Sequence, residues 1–118
     1  MRTPKKSERR IHPRIDRTLP INVAANGYDF TTSTHNISCV GAYCTIDKYV
    51  PPFTKVKIKL NLPIASNGST GYHDVNCQGV IVRTDDEPSG KFNVAIFFND
   101  IKDQPRQKIA QYVKQCLP

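Results

Sequence analysis

Hydrophobic and polar residues alternate along much of this chain, which is the period-two pattern of β-strands. The clearest example runs from Lys55 to Leu62, where four aliphatic residues alternate with three lysines and an asparagine. The aliphatic side chains should face a core and the lysines should face water. On an edge strand, such a lysine row would also discourage edge-to-edge aggregation.

Five other segments repeat this pattern, and turn signals separate them. The predicted strands cover about residues 19–25, 28–37, 42–46, 55–62, 74–83 and 91–98, with a polar loop over 63–73 and a turn over 85–90. Asn26-Gly27 predicts a tight hairpin between the first two strands, because a type I′ turn needs positive φ at both central residues. Pro20 predicts that the first strand is an edge strand or begins at this residue.

The last part of the chain changes from strand spacing to helix spacing. Asp103 suits a helix N-cap, and Pro105 is tolerated in the first turn. One apolar stripe follows at i, i+3, i+4 and i+7, formed by Ile109, Tyr112, Val113 and Cys116. The whole pattern predicts an all-β domain of six antiparallel strands, a small barrel or sandwich, with a C-terminal helix over about 103–116.

Length and cysteine spacing restrict the class of protein further. A chain of 118 residues is long enough for one core and one domain. The four cysteines, Cys39, Cys44, Cys77 and Cys116, form no C-x-x-C pair, so we expect reduced thiols and no metal site. No apolar run approaches the roughly 18 residues of a membrane span, which makes a cytoplasmic protein the default expectation.

Positive charge is concentrated at the N-terminus. The net charge is +7, and residues 1–17 hold seven basic and two acidic side chains, which leaves the remainder nearly balanced. Pro13 disfavours the α region for His12, so this segment should not form a regular helix. We therefore predict a flexible basic arm over 1–17, a barrel domain over 18–118, and an anionic partner for the arm, unless the arm only aids solubility.

Signals for catalysis are weak. The three histidines lie in unrelated segments, and no nucleophile has a neighbouring base. Neither a phosphate-binding loop motif nor a dinucleotide-binding glycine motif occurs. The sequence predicts a binding protein with no cofactor, not an enzyme.

Two short motifs make the binding hypothesis specific. Arg10 and Arg14 fit R-x-x-x-R, while Asn36, Ser38 and Gly41 fit N-x-S-x-x-G. Together, in this order, they resemble the PilZ domain family, whose members are bacterial receptors for the second messenger cyclic di-GMP. The resemblance covers essentially the whole chain. It implies a six-stranded antiparallel PilZ-type β-barrel with a C-terminal helix, the arginine motif on the N-terminal arm and the second motif between strands two and three.

The resemblance also implies roles for the arginines. Arg10 and Arg14 would chelate a phosphate or the guanine edge, or stack on the base, with Arg9 in support. Further ligand contacts could come from Arg17, Ala42 and Arg83.

From the barrel side, Asn36 and Ser38 would hydrogen-bond guanine or phosphate. Gly41 would let the backbone pass close to the ligand. Structural alternatives are that Asn36 and Ser38 satisfy strand-end backbone groups and that Gly41 is a bulge or turn residue.

Three departures from the common family pattern affect these roles. Many members have Asp at the position of Asn36, and an amide accepts through one oxygen where a carboxylate has two. We therefore expect lower affinity. Many members also have a second glycine at the position of Ala42. The chain has no Trp, so an arginine such as Arg17 would have to serve as the stacking partner.

Three functions remain open from the sequence. The first is a stand-alone cyclic di-GMP receptor, monomeric or weakly dimeric, whose arm orders over the dinucleotide and alters contact with a downstream bacterial protein. The second is an adaptor of the same fold, in pilus or flagellar control, that does not bind the nucleotide. The third and least favoured is a non-specific nucleic-acid binder, because the body is nearly neutral.

Overall fold

The computed structural model describes residues 13–25 and 27–117. Its elements are β1 (Pro20–Ala25), β2 (Tyr28–Ser38), β3 (Gly41–Ile46), β4 (Lys55–Ser66), β5 (Ser69–Asp86), β6 (Phe92–Asp100) and α1 (Asp103–Cys116). The strands pair antiparallel and close in the order β1-β2-β3-β6-β5-β4. The prediction of a six-stranded antiparallel barrel with a C-terminal helix is confirmed.

Closure of the barrel depends on the pairing of β1 with β4, in which Ile21 lies opposite Leu60. Lys55, Lys57 and Lys59 are exposed, as the alternation predicted. The interpretation of this row as protection of an edge is wrong, because β4 lies between β1 and β5. Pro20 is the first residue of β1 and needs no free edge there.

The core is built from the inward positions of all six strands and from one stripe of the helix. Ile109, Tyr112 and Val113 of α1 are buried in the same cluster as the strand residues. The side-chain amide of Gln115 also bonds both backbone groups of Ala65, at 3.1 and 2.9 Å, which holds the end of the helix to β4.

Two local predictions are wrong. Residues 63–73 are not a loop: β4 and β5 continue as a hairpin, with Ile64 buried and only Asn67-Gly68 between the strands, both at positive φ. Ile64 is the one buried residue of this stretch and residues 65–72 are exposed, so the hairpin is extended by continued strand pairing, which the polar composition did not reveal. Asp103 is the first helical residue rather than the N-cap, and Lys102 holds the cap position without a side-chain cap hydrogen bond. The carboxylate still lies near the positive end of the helix dipole.

The turn predicted over 85–90 is shorter than expected, because Asp85 and Asp86 belong to β5 and pair with Asn93 and Phe92 of β6. Ala25 pairs with Tyr28, so the predicted first hairpin is present, and Gly27 has a φ of +84°. Among the described residues, no helix combines the length and apolar character required to cross a membrane.

The segment before β1 is attached to β2. Ile15 is buried and exchanges two backbone hydrogen bonds of 3.0 Å with Ile37. The buried Thr34 hydroxyl accepts from the Leu19 N–H at 3.0 Å and donates to the Arg17 carbonyl at 2.6 Å. Residues 1–12 of the predicted arm lie outside the described part, and the boundary at residue 17 remains a prediction.

Candidate functional site

The two predicted motifs meet beside β2. The antiparallel bridge between Ile15 and Ile37 holds the segment before β1 along β2, and the long Arg14 side chain reaches Asn36, where its Nη1 donates to Asn36 Oδ1 at 3.0 Å. Arg14 is exposed and Asn36 is half-buried. The remaining predicted arginines of the first motif, Arg9 and Arg10, lie outside the described residues.

A β-bulge sets the direction of Asn36. The register between β2 and β3 shifts between Thr34 and Asn36, which leaves His35 as the extra residue. Thr34 therefore points into the core while Asn36 lies opposite Tyr43. The bulge directs the Asn36 side chain to the outer face of the barrel.

Contacts within the protein account for the observed positions of three further predicted site residues, Ser38, Gly41 and Ala42. Ser38 is fully buried, and its Oγ accepts from the Val40 N–H at 3.2 Å. A Cβ on Gly41 would lie 2.4 Å from the carbonyl oxygen of Ile96, so the close approach of β6 already requires glycine there. Ala42 faces the core. The ligand contacts expected of these three residues remain predictions.

Asn36 begins a row of side chains that crosses the outer face of four strands. Asn36 of β2 lies opposite Tyr43 of β3, Tyr43 opposite Ala95 of β6, and Ala95 opposite Arg83 of β5. We call these four residues the outer row. Sequence reasoning missed Tyr43 and Ala95, because only the strand register shows that they join Asn36 to Arg83.

Arg83 reaches across the outer row. Its guanidinium carbon lies 5.7 Å from the centre of the Tyr43 ring, within cation–π range. Its Nε donates to Asp85 Oδ2 at 2.9 Å. A hydrogen bond with Tyr43 raises the pKa of Arg83 above its usual value, and the Asp85 carboxylate adds to this effect. Arg83 is therefore a cation anchored at two points on the surface.

A second set of polar side chains lies beside the outer row. The Thr45 hydroxyl donates to Asn93 Oδ1 at 2.6 Å, and His35 Nε2 lies 2.6 Å from the same hydroxyl oxygen. With the Thr45 hydroxyl donating to Asn93, the tautomer of His35 that carries its proton on Nε2 completes this hydrogen-bond chain. These contacts brace the bulge.

Arg17 lies elsewhere. Its guanidinium interacts with the Cys116 thiol and with Tyr112 of α1, and the hydrogen bond with Cys116 raises the pKa of Arg17. The structure thus brings Arg14 to Asn36, places Arg83 at the far end of the same row, and directs Arg17 to the helix.

Comparison with known proteins gives the class of this domain. Residues 8–115 match the PilZ domain model, and the chain therefore belongs to the PilZ domain family. The match confirms the resemblance on which the two motifs were interpreted. No curated protein matches the sequence.

Two solved structures share the fold. The inhibitor of motility MotI/DgrA from Bacillus subtilis superposes with a TM-score of 0.79 at 18% identity, over 95% of this chain and 55% of that one. This chain thus spans about half the length of the Bacillus protein. The PilZ domain of YcgR from Escherichia coli, solved with c-di-GMP, superposes with a TM-score of 0.57 at 10% identity, over 91% of this chain and 90% of that one.

Proposed function

We propose that this protein is a non-enzymatic, cytoplasmic receptor for cyclic di-GMP. The observation that carries the proposal is the hydrogen bond between Arg14 and Asn36, which joins the two motifs on the outer face of the barrel. The family to which the chain belongs and the ligand in the YcgR structure support the same reading.

The chemistry of the pair suits a guanine nucleotide. Asn36 Oδ1 accepts a hydrogen bond from Arg14. The Nδ2 amino group of Asn36 is therefore the part that would donate to acceptors on the ligand. Guanine O6 and N7 and the phosphate oxygens are acceptors of this kind. Arg14 contributes a planar cation that binds phosphate or stacks on a base. Asparagine in place of aspartate therefore changes which edge of the guanine is recognised.

The remaining contacts with the dinucleotide come from the N-terminal segment. In this proposal Arg9 and Arg10 bind the phosphates and hold that segment against the barrel once the dinucleotide is bound. A downstream bacterial protein then recognises the altered surface. This requires that the downstream protein bind the ligand-free and ligand-bound forms of the receptor with different affinity. Ser38, Gly41 and Ala42 line the passage between β2 and β3 beneath the ligand.

Titration calorimetry of the full chain with cyclic di-GMP tests the proposal. We expect saturable binding, with much weaker heats for GTP and for cyclic di-AMP, since one lacks the cyclic frame and the other lacks guanine. The absence of binding, both by calorimetry and by fluorescence polarisation, would overturn the proposal and favour the adaptor function. Equal competition by a single-stranded oligonucleotide would instead indicate a non-specific nucleic-acid binder.

A further inference from the structure

The three lysines of β4 form a row of positive charge that has no partner in the described part of the protein. Lys55, Lys57 and Lys59 are exposed at alternate positions of the strand, and none of their ammonium groups forms an ion pair or a hydrogen bond with another described residue. They do not protect an edge, because β4 is paired on both sides. We propose that this row, the lysine strip, is a docking surface for an extended acidic segment of a partner protein.

Carboxylates limit the width of the lysine strip. Across the sheet, Lys57 lies opposite Gln78 on one side and Ala24 on the other. One strand further out, Gln78 lies opposite Asp100, and Ala24 lies opposite Asp29. Adjacent strands are about 4.8 Å apart, so each of these exposed aspartates is about 10 Å from Lys57 along the sheet. The positive band is therefore about as wide as one extended peptide segment.

Two hollows lie beside the lysine strip. The first, of about 440 Å³, includes Lys55, Lys57 and Asp29 in its lining. The second, of about 430 Å³, includes Lys57, Lys102 and Asp100. Because Lys57 lines both hollows, they adjoin at the strip. A recessed surface of this kind accommodates the side chains of a protein segment better than it accommodates the flat face of a lipid bilayer.

The spacing of the lysines suits an extended partner. Alternate residues of a strand are about 6.7 Å apart, so the strip is about 13 Å long. Carboxylates on alternate residues of an extended segment repeat at the same interval and face the same side, so each can meet one lysine. Because β4 is paired on both sides, it cannot accept an added strand, and the contact must be made by side chains.

Other polyanions fit the lysine strip less well. A bilayer or a nucleic-acid duplex is wider than the positive band and would bring anionic groups against Asp29 and Asp100. Single-stranded nucleic acid is narrow enough, but its binding sites present aromatic side chains for base stacking, and β4 contains none. An acidic peptide segment needs only the charges that the strip provides.

The lysine strip and the candidate ligand site lie on different sides of the barrel. β4 and β3 are three strands apart in either direction around the closed ring. Tyr43 of the outer row belongs to β3, so a partner held on β4 leaves the face around Tyr43 open. Docking on the strip does not depend on cyclic di-GMP, and the proposal goes beyond the receptor function.

A charged face that only keeps the protein soluble is the competing explanation. Solubility depends on net charge, whatever its location. K55Q/K57Q/K59Q removes the strip, and K91Q/R106Q/K114Q is the matched control, because it removes the same number of exposed positive charges from other surfaces. Both variants keep the arginines of the N-terminal segment, so binding by that segment affects them alike.

Amide NMR titration of the full chain with a synthetic peptide tests the proposal at low ionic strength, where surface charges are least screened. The peptide alternates four glutamates with threonines. We expect shift changes at β4 and at its neighbours on β1 and β5. K55Q/K57Q/K59Q should weaken binding about 3- to 150-fold, as expected for the loss of three exposed ion pairs, while K91Q/R106Q/K114Q matches the parent. Circular dichroism checks that each variant is folded.

Several outcomes would overturn the proposal. They are failure of the parent to bind at millimolar peptide, equal binding by the two variants, and shift changes confined to the N-terminal segment. Equally tight binding to β4 by a peptide with the four glutamates in one block, by an oligonucleotide or by phosphatidylglycerol vesicles would also overturn it. Because every sample lacks cyclic di-GMP, none of these outcomes bears on the receptor function.

Discussion

Arg14 and Asn36 are joined by a hydrogen bond of 3.0 Å although 22 positions separate them along the chain. The contact depends on the isolated bridge between Ile15 and Ile37, which aligns the segment before β1 with β2. The same bridge buries Ile15. Core packing thus positions one motif against the other, and the candidate site depends on the barrel as well as on the motifs.

This contact predicts coupled effects on cyclic di-GMP binding. Arg14→Ala should weaken binding roughly 10- to 150-fold, since a charged hydrogen bond is lost, and Asn36→Ala should weaken it by a smaller factor. Because each residue positions the other, the double variant should lose less than the product of the two factors. Calorimetry on the four proteins measures the coupling. Strictly multiplicative losses would show that the two residues act independently.

Gly41 should be required for the fold as well as for any ligand. The Cβ of Gly41→Ala would lie 2.4 Å from the Ile96 carbonyl, so β3 and β6 would have to separate. We expect the free energy of unfolding to fall by about 1–3 kcal/mol in urea titrations. Gly71→Ala is the control, because its Cβ would meet only His73 Nε2 at 3.5 Å. A Gly41→Ala protein as stable as the parent but unable to bind the dinucleotide would point to a ligand role alone.

Phe53 predicts a stabilising substitution. It has a φ of +72° and is 81% exposed, so it adopts a left-handed conformation with few packing contacts. That conformation costs a non-glycine residue about 1–2 kcal/mol, and glycine loses about 0.5–1 kcal/mol through its greater freedom when unfolded. Phe53→Gly should therefore raise the free energy of unfolding by up to about 1.5 kcal/mol.

The control for this prediction is Phe53→Ala, which removes the ring but keeps the unfavourable φ. Urea titration should find its stability close to that of the parent. If both variants were equally destabilised, the ring itself would contribute to packing, and the strain argument would fail.

Cys44 predicts a loss of stability in alkaline solution. Burial raises the pKa of its thiol from 9.0 to about 12, so the folded protein keeps a proton that the unfolded chain releases. The contribution of this thiol to the free energy of unfolding is fully present below the pKa that the thiol has in the unfolded chain. It decreases by about 1.4 kcal/mol per pH unit as the pH rises from about 9 toward 12.

Urea titrations of the parent and of Cys44→Ala across this range isolate the effect. The variant should be less stable at neutral pH because of the cavity, but its stability should fall less steeply above pH 9. If the free energy of unfolding fell equally steeply with pH in the two proteins, the raised pKa of Cys44 would be contradicted, since the other titrating groups are common to both.

Local pattern was sufficient for most of the elements. Alternation predicted the six strands and the buried side of β4, and the spacing of Ile109, Tyr112 and Val113 predicted the buried stripe of α1. The errors arose where a neighbour decided the outcome. The pairing of β4 with β5 continues through residues 63–73 although most of them are exposed, and the lysines of β4 protect no edge because β1 closes the barrel.

By itself, the sequence determined the fold class, the order of the elements and the two motifs of the binding hypothesis, because periodicity and spacing are properties of neighbouring residues. The tertiary structure alone decided which side chains meet. Strand register, a bulge at His35 and the Ile15–Ile37 bridge place Arg14 at Asn36 and Arg83 over Tyr43. A shift of one residue in any of these pairings would turn the side chains to the opposite face, and such long-range pairing leaves no local trace in the sequence.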